Sequence, residues 1–431
     1  MNRSAVREFH APGISVPRGE LLVPTQVGDP ARGPLMCPAG PLIGGSLLRK
    51  GWRAALAPVP QLDDLGSDFG GASVYLATCA QRSGRTAALA AAASPDDRRA
   101  AAAASAAVEE WAAVAGTRRL LTAARPWCAG ALNALATVRA AVSEQAARAQ
   151  ARGPGGAIHI YGELAASPET AAELAERGVV ATATLEGIPQ GDIVIFPAHG
   201  VPPAVRAEAA ARGLAVVDAT CPFVAHAQDQ AARLAQRGDD VVLIGHPGQP
   251  AAAAITGSAQ RAAVVESAGG TATLQVTDAR RVSYLLQPGI PVEWSGPVAG
   301  ALRSRFPAAR GPNPDGFCYA PSDRAQTVKA IAADCELMLV LGDADSPDTR
   351  QLSGLARDGG AKTQVIGAVS DLTPAMLAGV SAIGLAESTS APSALAGRVT
   401  EALSGLGPLS VVRRQVSSQI TDEPASQPAP I

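Results

Sequence analysis

Between residue 117 and about residue 407, short apolar runs alternate with amphipathic patterns of helical period. Apolar runs bounded by turn residues read as buried strands, and apolar positions three and four apart read as helices. DIVIFPA, LAVVDAT, DDVVLIG and ELMLVLG are predicted strands. PPAVRAEAAARG, PFVAHAQDQAARLAQRG, DTRQLSGLARDGG and APSALAGRVTEALSGLG are predicted helices, each ending at glycine, which readily takes the left-handed closing turn. Such alternation builds α/β lobes. Residues 1–116 read differently: they are rich in Gly, Pro and Ala, with predicted strands at GELLVPT and ASVYLAT and a long alanine-rich helix from Pro95 to about Ala115. The chain thus divides into an N-terminal α/β extension, 1–116, an α/β body of three lobes, 117–407, and a C-terminal strand and tail, 408–431. From about Ser417 that tail is polar and proline-rich and is expected to be disordered.

Composition narrows the class. A chain of 431 residues with 47% hydrophobic content can bury several cores, and 3% aromatics means that Ala, Val and Leu must build them. A net charge of -2 and the lack of a basic stripe argue against nucleic acid as a partner. The N-terminus has no apolar leader and no run of about 18 apolar residues occurs, so no membrane span is predicted and a cytoplasmic location is expected. Six cysteines, at 37, 79, 128, 221, 318 and 335, form no CxxC pair and are too scattered for a disulfide framework.

One of them stands out. Cys221, in LAVVDATCPFVAHA, lies past a predicted strand and before Pro222, which suits a first helical turn. Backbone N–H groups at a helix start favour a thiolate; a buried structural cysteine is the alternative. Cys128 in RPWCAGALNA and Cys318 in DGFCYAPSDR have the same place before a helix, at similar separations, 221 − 128 = 93 and 318 − 221 = 97. Three lobes of similar length, each offering one thiolate, could aim all three at a common centre. Such a centre means a metal more readily than a disulfide. A closed zinc site wants a fourth protein ligand, whereas a 4Fe-4S cluster on three cysteines leaves one iron open. Three unrelated structural cysteines remain the other reading of this spacing.

GDIVIFPAHGVPPAVRAEAAARGLAVVDATCPFV followed by RGDDVVLIGHPGQP resembles the central block of the 4-hydroxy-3-methylbut-2-enyl diphosphate reductases, the LytB or IspH family. IHIYGELAASPE, GFCYAPSDRAQTV, ELMLVLGDADSPDTRQL and AIGLAESTSAPSAL are similar to further family segments, and the resemblance covers about residues 118–407. It implies three α/β lobes around a 4Fe-4S cluster bound by Cys128, Cys221 and Cys318. It also implies two-electron reductive removal of an allylic hydroxyl in isoprenoid precursor biosynthesis, with electrons from an external carrier such as ferredoxin or flavodoxin. His199, Gln287, Ser346 and Ser390 match substrate-binding positions of the family, while Gln249 and Ala166 stand in the places of histidines, Pro288 in that of a threonine, and Pro347 and Asp348 in those of a serine and an asparagine. Ala251 replaces the glutamate of the family's proton relay, and Glu387, next to the serine loop, is the candidate substitute.

Each lost donor weakens a diphosphate site, a charge-assisted hydrogen bond being worth ~1.5 to 3 kcal/mol, and Asp348 adds negative charge there. Two other readings follow: a diverged paralogue acting on a less anionic substrate, and a non-catalytic cluster protein serving as a redox sensor. Of the other candidates, His246 has no acidic partner close in sequence, His159 and His226 read as surface or helix-face residues, and Cys79 and Cys335 read as core.

Overall fold

The computed structural model describes residues 4–63, 71–123, 128–152, 156–162 and 168–417. Ala166 and the tail beyond residue 417 lie outside them. The chain forms two compact units, Met1–Pro126 with Thr327–Gln415, and Trp127–Gln326 with Val416–Ile431.

The first unit opens with β1 (Arg7–Pro12), β2 (Glu20–Asp29), β3 (Gly33–Met36), α1 (Gly40–Arg49), β4 (Arg53–Val59), β5 (Gly71–Ala80), β6 (Thr86–Ala93) and α2 (Arg98–Ala113). Its strands make one sheet in the order β1-β5-β6-β2-β3, with β4 added parallel to β2 and the other pairs antiparallel. The sequence TAALAAAA of β6 is buried from Ala87 to Ala93. Methyl side chains let α2 pack closely on β5 and β6, through Ala100, Ala104, Ala107, Val108 and Trp111, which share one helical face. Asp97 caps that helix, accepting the Arg99 and Ala100 N–H groups at 3.1 and 3.0 Å.

After α2 comes β7 (Arg118–Thr122), and the second unit then begins with α3 (Ala129–Arg152). There β8 (Ile158–Tyr161), α4 (Pro168–Glu176), β9 (Val179–Thr182), β10 (Ile193–Phe196), α5 (Pro203–Ala211) and β11 (Ala215–Asp218) give a parallel sheet ordered β11-β10-β8-β9. A second parallel sheet, β13-β12-β14, arises from α6 (Pro222–Gln236), β12 (Asp240–Ile244), α7 (Pro250–Thr256), β13 (Ala262–Val265), β14 (Val282–Leu286) and α8 (Val292–Arg305). Helix α9 (Ala320–Ala333) leads the chain back into the first unit. There β15 (Leu337–Leu341), α10 (Pro347–Asp358), β16 (Lys362–Ile366), α11 (Pro374–Leu377), β17 (Ala382–Glu387), α12 (Leu395–Ser404) and β18 (Leu409–Arg413) complete a parallel sheet ordered β16-β15-β17-β7-β18.

Three parallel α/β sheets and the mixed sheet of the extension agree with the fold class read from the sequence. The lobes are not consecutive segments, however. β7, just before Cys128, pairs with β17 and β18, so the last lobe is built from both ends of the body. Each cysteine therefore sits where the chain leaves one lobe for the next, between β7 and α3, between β11 and α6, and ahead of α9. LAVVDAT, expected to be buried, is an edge strand with Val216 41% exposed; its apolar run reflects one covered side, not two. One hydrophobic cluster joins Leu42, Leu47 and Trp111 of the extension to Leu339, Ile383 and Leu395 of the last lobe. Among the described residues no helix is long and apolar enough to cross a membrane.

Candidate metal centre and flanking polar groups

All three cysteines of the 93- and 97-residue spacing fall in the second unit. Cys128 immediately precedes α3, and its sulfur accepts the Ala131 N–H at 3.4 Å. Cys221 is the N-cap residue of α6, with Pro222 in the first turn, and its own N–H donates to the Ala198 carbonyl at 3.0 Å. Cys318 lies two residues ahead of α9. A methyl group on Gly130 would come within 2.5 Å of the Cys221 sulfur and 3.9 Å of the Cys128 sulfur, so the first helix turn approaches Cys221 only because residue 130 has no side chain.

The electrostatics follow from this approach. Burial pushes the Cys221 thiol up, the Phe223 and Val224 N–H groups pull it down, and the neighbouring Cys128 charge raises it again. Cys318 is pushed up to about 11, by burial first; the Ala320 and Gly289 N–H groups oppose this while the Cys128 and Cys221 charges add to it. Backbone donors thus aim at each sulfur, yet three thiolates this close repel one another without a cation between them. Among the described residues no group of three His, Cys, Asp or Glu side chains is arranged to hold a metal ion.

The turn before Cys221 is held by polar contacts. Asp218 accepts the Thr220 N–H at 3.0 Å and Arg206 reaches both Asp218, at 2.5 Å, and the Thr220 hydroxyl, at 3.1 Å. Burial raises the Asp218 carboxyl, but Arg206 and Thr220 outweigh it and hold it below its usual range. His199 follows β10 and is exposed; the next residue, Gly200, has φ +69° and comes so near Thr220 and Val224 that a methyl would sit 3.1 and 3.2 Å from them. The histidine is thereby carried to the Cys221 turn.

At the C-terminal ends of β12 and β14 a second polar group forms. Gln287, 3% exposed, donates its side-chain amide to the Gln249 side chain at 2.6 Å and accepts the His246 N–H at 2.9 Å. Gly245 permits this, since a methyl there would lie 2.3 Å from the Gln287 oxygen. Gln249 is the N-cap of α7, and Ala251 is buried in its first turn. A pocket of about 20 Å³, room for one water, lies beside Cys318 and Gln287 with His226 and Gln230 on its wall.

Ser346, Asp348, Ser390 and Glu387 gather in the first unit, at the C-terminal edge of its parallel sheet. Ser346 is the N-cap of α10, but its hydroxyl makes no capping bond. The Ser390 hydroxyl accepts the Asp343 N–H at 3.0 Å and lies 2.8 Å from the Ser388 hydroxyl and 3.3 Å from that of Thr349. Asp348, in the first turn of α10, accepts the Thr389 N–H at 2.7 Å, so it ties the serine loop to the helix. Glu387 ends β17, half-buried and opposite Leu341. The buried hydroxyls of Ser388 and Thr349 were missed; only their nearness to Ser390 and Ser346 in sequence could have marked them.

One histidine differs from expectation: His159 is not a surface residue, since it lies on β8 with its Nε2 2.8 Å from Asp192. His246, which has no acidic partner close in sequence, meets one distant in sequence, Glu266, 2.7 Å from its Nδ1, and its ring lies 4.7 Å from that of Trp294. Glu266 starts the loop after the neighbouring strand β13, a proximity that sheet topology creates and sequence distance hides. His226 is exposed on α6, beside Gln230.

The LytB protein family model matches residues 120–404. The chain belongs to that family. In the LytB family it is 36% identical over 305 residues to the 4-hydroxy-3-methylbut-2-enyl diphosphate reductase 2 of Mycobacterium bovis, a match covering 70% of this chain and 90% of the relative. It is also 36% identical over 294 residues to the 4-hydroxy-3-methylbut-2-enyl diphosphate reductase of Stenotrophomonas maltophilia, covering 67% and 90%. The solved E-1-hydroxy-2-methyl-but-2-enyl-4-diphosphate reductase of Plasmodium falciparum shares the LytB fold with a TM-score of 0.60 at 21% identity, over 72% of this chain and 96% of that one. The matched segment starts inside β7 and ends with α12, so most of the N-terminal extension lies outside it.

Proposed function

We infer that the protein is an iron-sulfur oxidoreductase that removes the allylic hydroxyl of 4-hydroxy-3-methylbut-2-enyl diphosphate, taking two electrons from an external carrier of the ferredoxin or flavodoxin type. The observation that carries this reading is the approach of Cys128, Cys221 and Cys318 within one unit, with backbone N–H groups directed at their sulfurs. The donor set suits a 4Fe-4S cluster: thiolates are its ligands, and three of them on three different irons need not converge as ligands of a single ion do. Such a cluster, when bound, supplies electrons and an open Lewis-acid iron.

The chain's own residues supply the rest. The start of α10, the Ser346 hydroxyl and the Ser390 hydroxyl suit phosphate oxygens, because a helix start presents donors and partial positive charge. With Ala251 in place of a carboxylate, Glu387 is the proposed proton donor at the leaving hydroxyl. Glu387→Gln should lower kcat by about 10²- to 10⁴-fold with little change in KM; unaltered turnover and pH profile would remove Glu387 from this role.

The test of the whole reading is a Mössbauer spectrum of anaerobically reconstituted, iron-57-labelled protein with and without the diphosphate. One distinct iron that shifts on addition supports it. A cluster that ignores the diphosphate turns the assignment to a less anionic allylic alcohol, a reading that Ala251 and the Asp348 carboxylate favour, and no cluster at all refutes it.

A further inference from the structure

At the N-terminal ends of β12 and β14, the strand ends away from Gln287, the second unit bears a group of arginines that the reductase reading leaves unused. Arg280, Arg281 and Arg310 line a pocket of about 90 Å³ together with Asp239 and Val282. A single water needs about 10 to 15 Å³ of such space, so the pocket has room for several waters or a compact oxyanion.

The pocket is built from beneath. Asp239 is 3% exposed, and its oxygens are engaged by the Ser283 hydroxyl at 2.8 Å, by Arg237 at 2.7 Å and by Arg281 at 3.5 Å. It orients Arg281 instead of opposing an incoming anion. The main chain of Arg310 is fixed at the edge of β14: its N–H donates to Val282 at 3.0 Å and its carbonyl accepts from Tyr284 at 2.9 Å. Its guanidinium has no ion-pair or hydrogen-bond partner among the described residues. Arg280 touches Asp278 at 3.3 Å but its side chain is 86% exposed. Four arginines, at 237, 280, 281 and 310, face two carboxylates, Asp239 and Asp278, an excess of two positive charges. Planar guanidinium groups take oxyanions bidentately, which a point charge cannot do.

We propose that this pocket binds a phosphate-class oxyanion, either inorganic phosphate or the terminal phosphate of a diphosphate. The site does not depend on the reductase reading, and cluster content measured on the same samples keeps the two apart.

The experiment is calorimetric titration of phosphate, and separately of pyrophosphate, into the anaerobically prepared full chain at constant ionic strength. The same titrations are made on Arg280→Gln/Arg310→Gln. Both side chains are exposed, so the double variant keeps the fold. Saturable binding by the wild type that weakens about tenfold or more in the variant is the expected result. Binding of both anions indicates inorganic phosphate as sufficient, and binding of pyrophosphate alone indicates a diphosphate. The proposal is overturned if neither anion binds saturably, or if binding survives in the variant and so resides elsewhere.

Discussion

The side-chain amide of Gln287 donates to Gln249 at 2.6 Å while its oxygen accepts the His246 N–H at 2.9 Å. One buried residue at the end of β14 thus fixes the loop between β12 and α7. Gln287→Leu would strand a backbone donor and a side-chain acceptor at once. We expect a loss of about 1 to 3 kcal/mol in urea unfolding, the usual range for a buried group left without its partner. An unchanged midpoint would mean that the loop is held by other contacts.

Asp348 presents the opposite case, a charge put to structural use. Its bond to the Thr389 N–H needs only an oxygen acceptor, which asparagine also has. Asp348→Asn should therefore keep the loop on α10 and remove a negative charge close to the proposed phosphate donors. With the diphosphate as substrate, KM should fall several-fold with kcat little changed, one charge near a surface being worth ~1 kcal/mol. A rise in KM would show that the carboxylate itself is needed.

The strand-helix alternation from residue 117 onward was legible because parallel strands are buried on both faces and leave continuous apolar runs, as in β10, β12 and β15. The cysteines were legible because a helix start after a strand leaves a local signature, seen at Cys221 with Pro222. What stayed hidden depends on distant segments. The pairing of β7 with β17 has no local signal, nor have His246–Glu266 or His159–Asp192. In the extension, β6 is almost all alanine, which lacks strand propensity, and only its central place between β5 and β2 makes it a strand.

Asp239 gives a pH dependence with a definite sign. Burial raises its carboxyl, but the Ser283 hydroxyl and the Arg237 and Arg281 guanidinium groups prevail and hold it below the usual range. The folded state therefore binds this proton less readily than the unfolded state. The resulting stability is present above the unfolded value of about 3.9 and is lost as pH falls through the lower folded value. Asp239→Asn should lag the wild type in urea unfolding at pH 7, and the gap should narrow on going to pH 3. A gap that widens in acid would contradict the assignment.

The last prediction concerns residues 1–116. Were they an appendage, a chain starting at residue 117 would fold like any other member of the family. The geometry argues otherwise. Trp111 is buried and donates to the Ser46 hydroxyl at 2.9 Å, and both belong to elements that cover the last lobe. Gly45 of α1 lies so close to Ser370 that a methyl would sit 2.6 Å from its carbonyl, and Arg49 reaches the Leu372 carbonyl at 3.0 Å. Removing the extension would bare the apolar face made by Leu339, Ile383 and Leu395 on the last lobe, and contiguous exposed apolar surface of that kind promotes aggregation. A truncation to residues 117–431 should be insoluble or lack near-ultraviolet circular dichroism, whereas Trp111→Phe in the full chain should fold with about 1 to 3 kcal/mol less stability. A soluble, native-like truncation that still takes up iron would show that the shared core is dispensable.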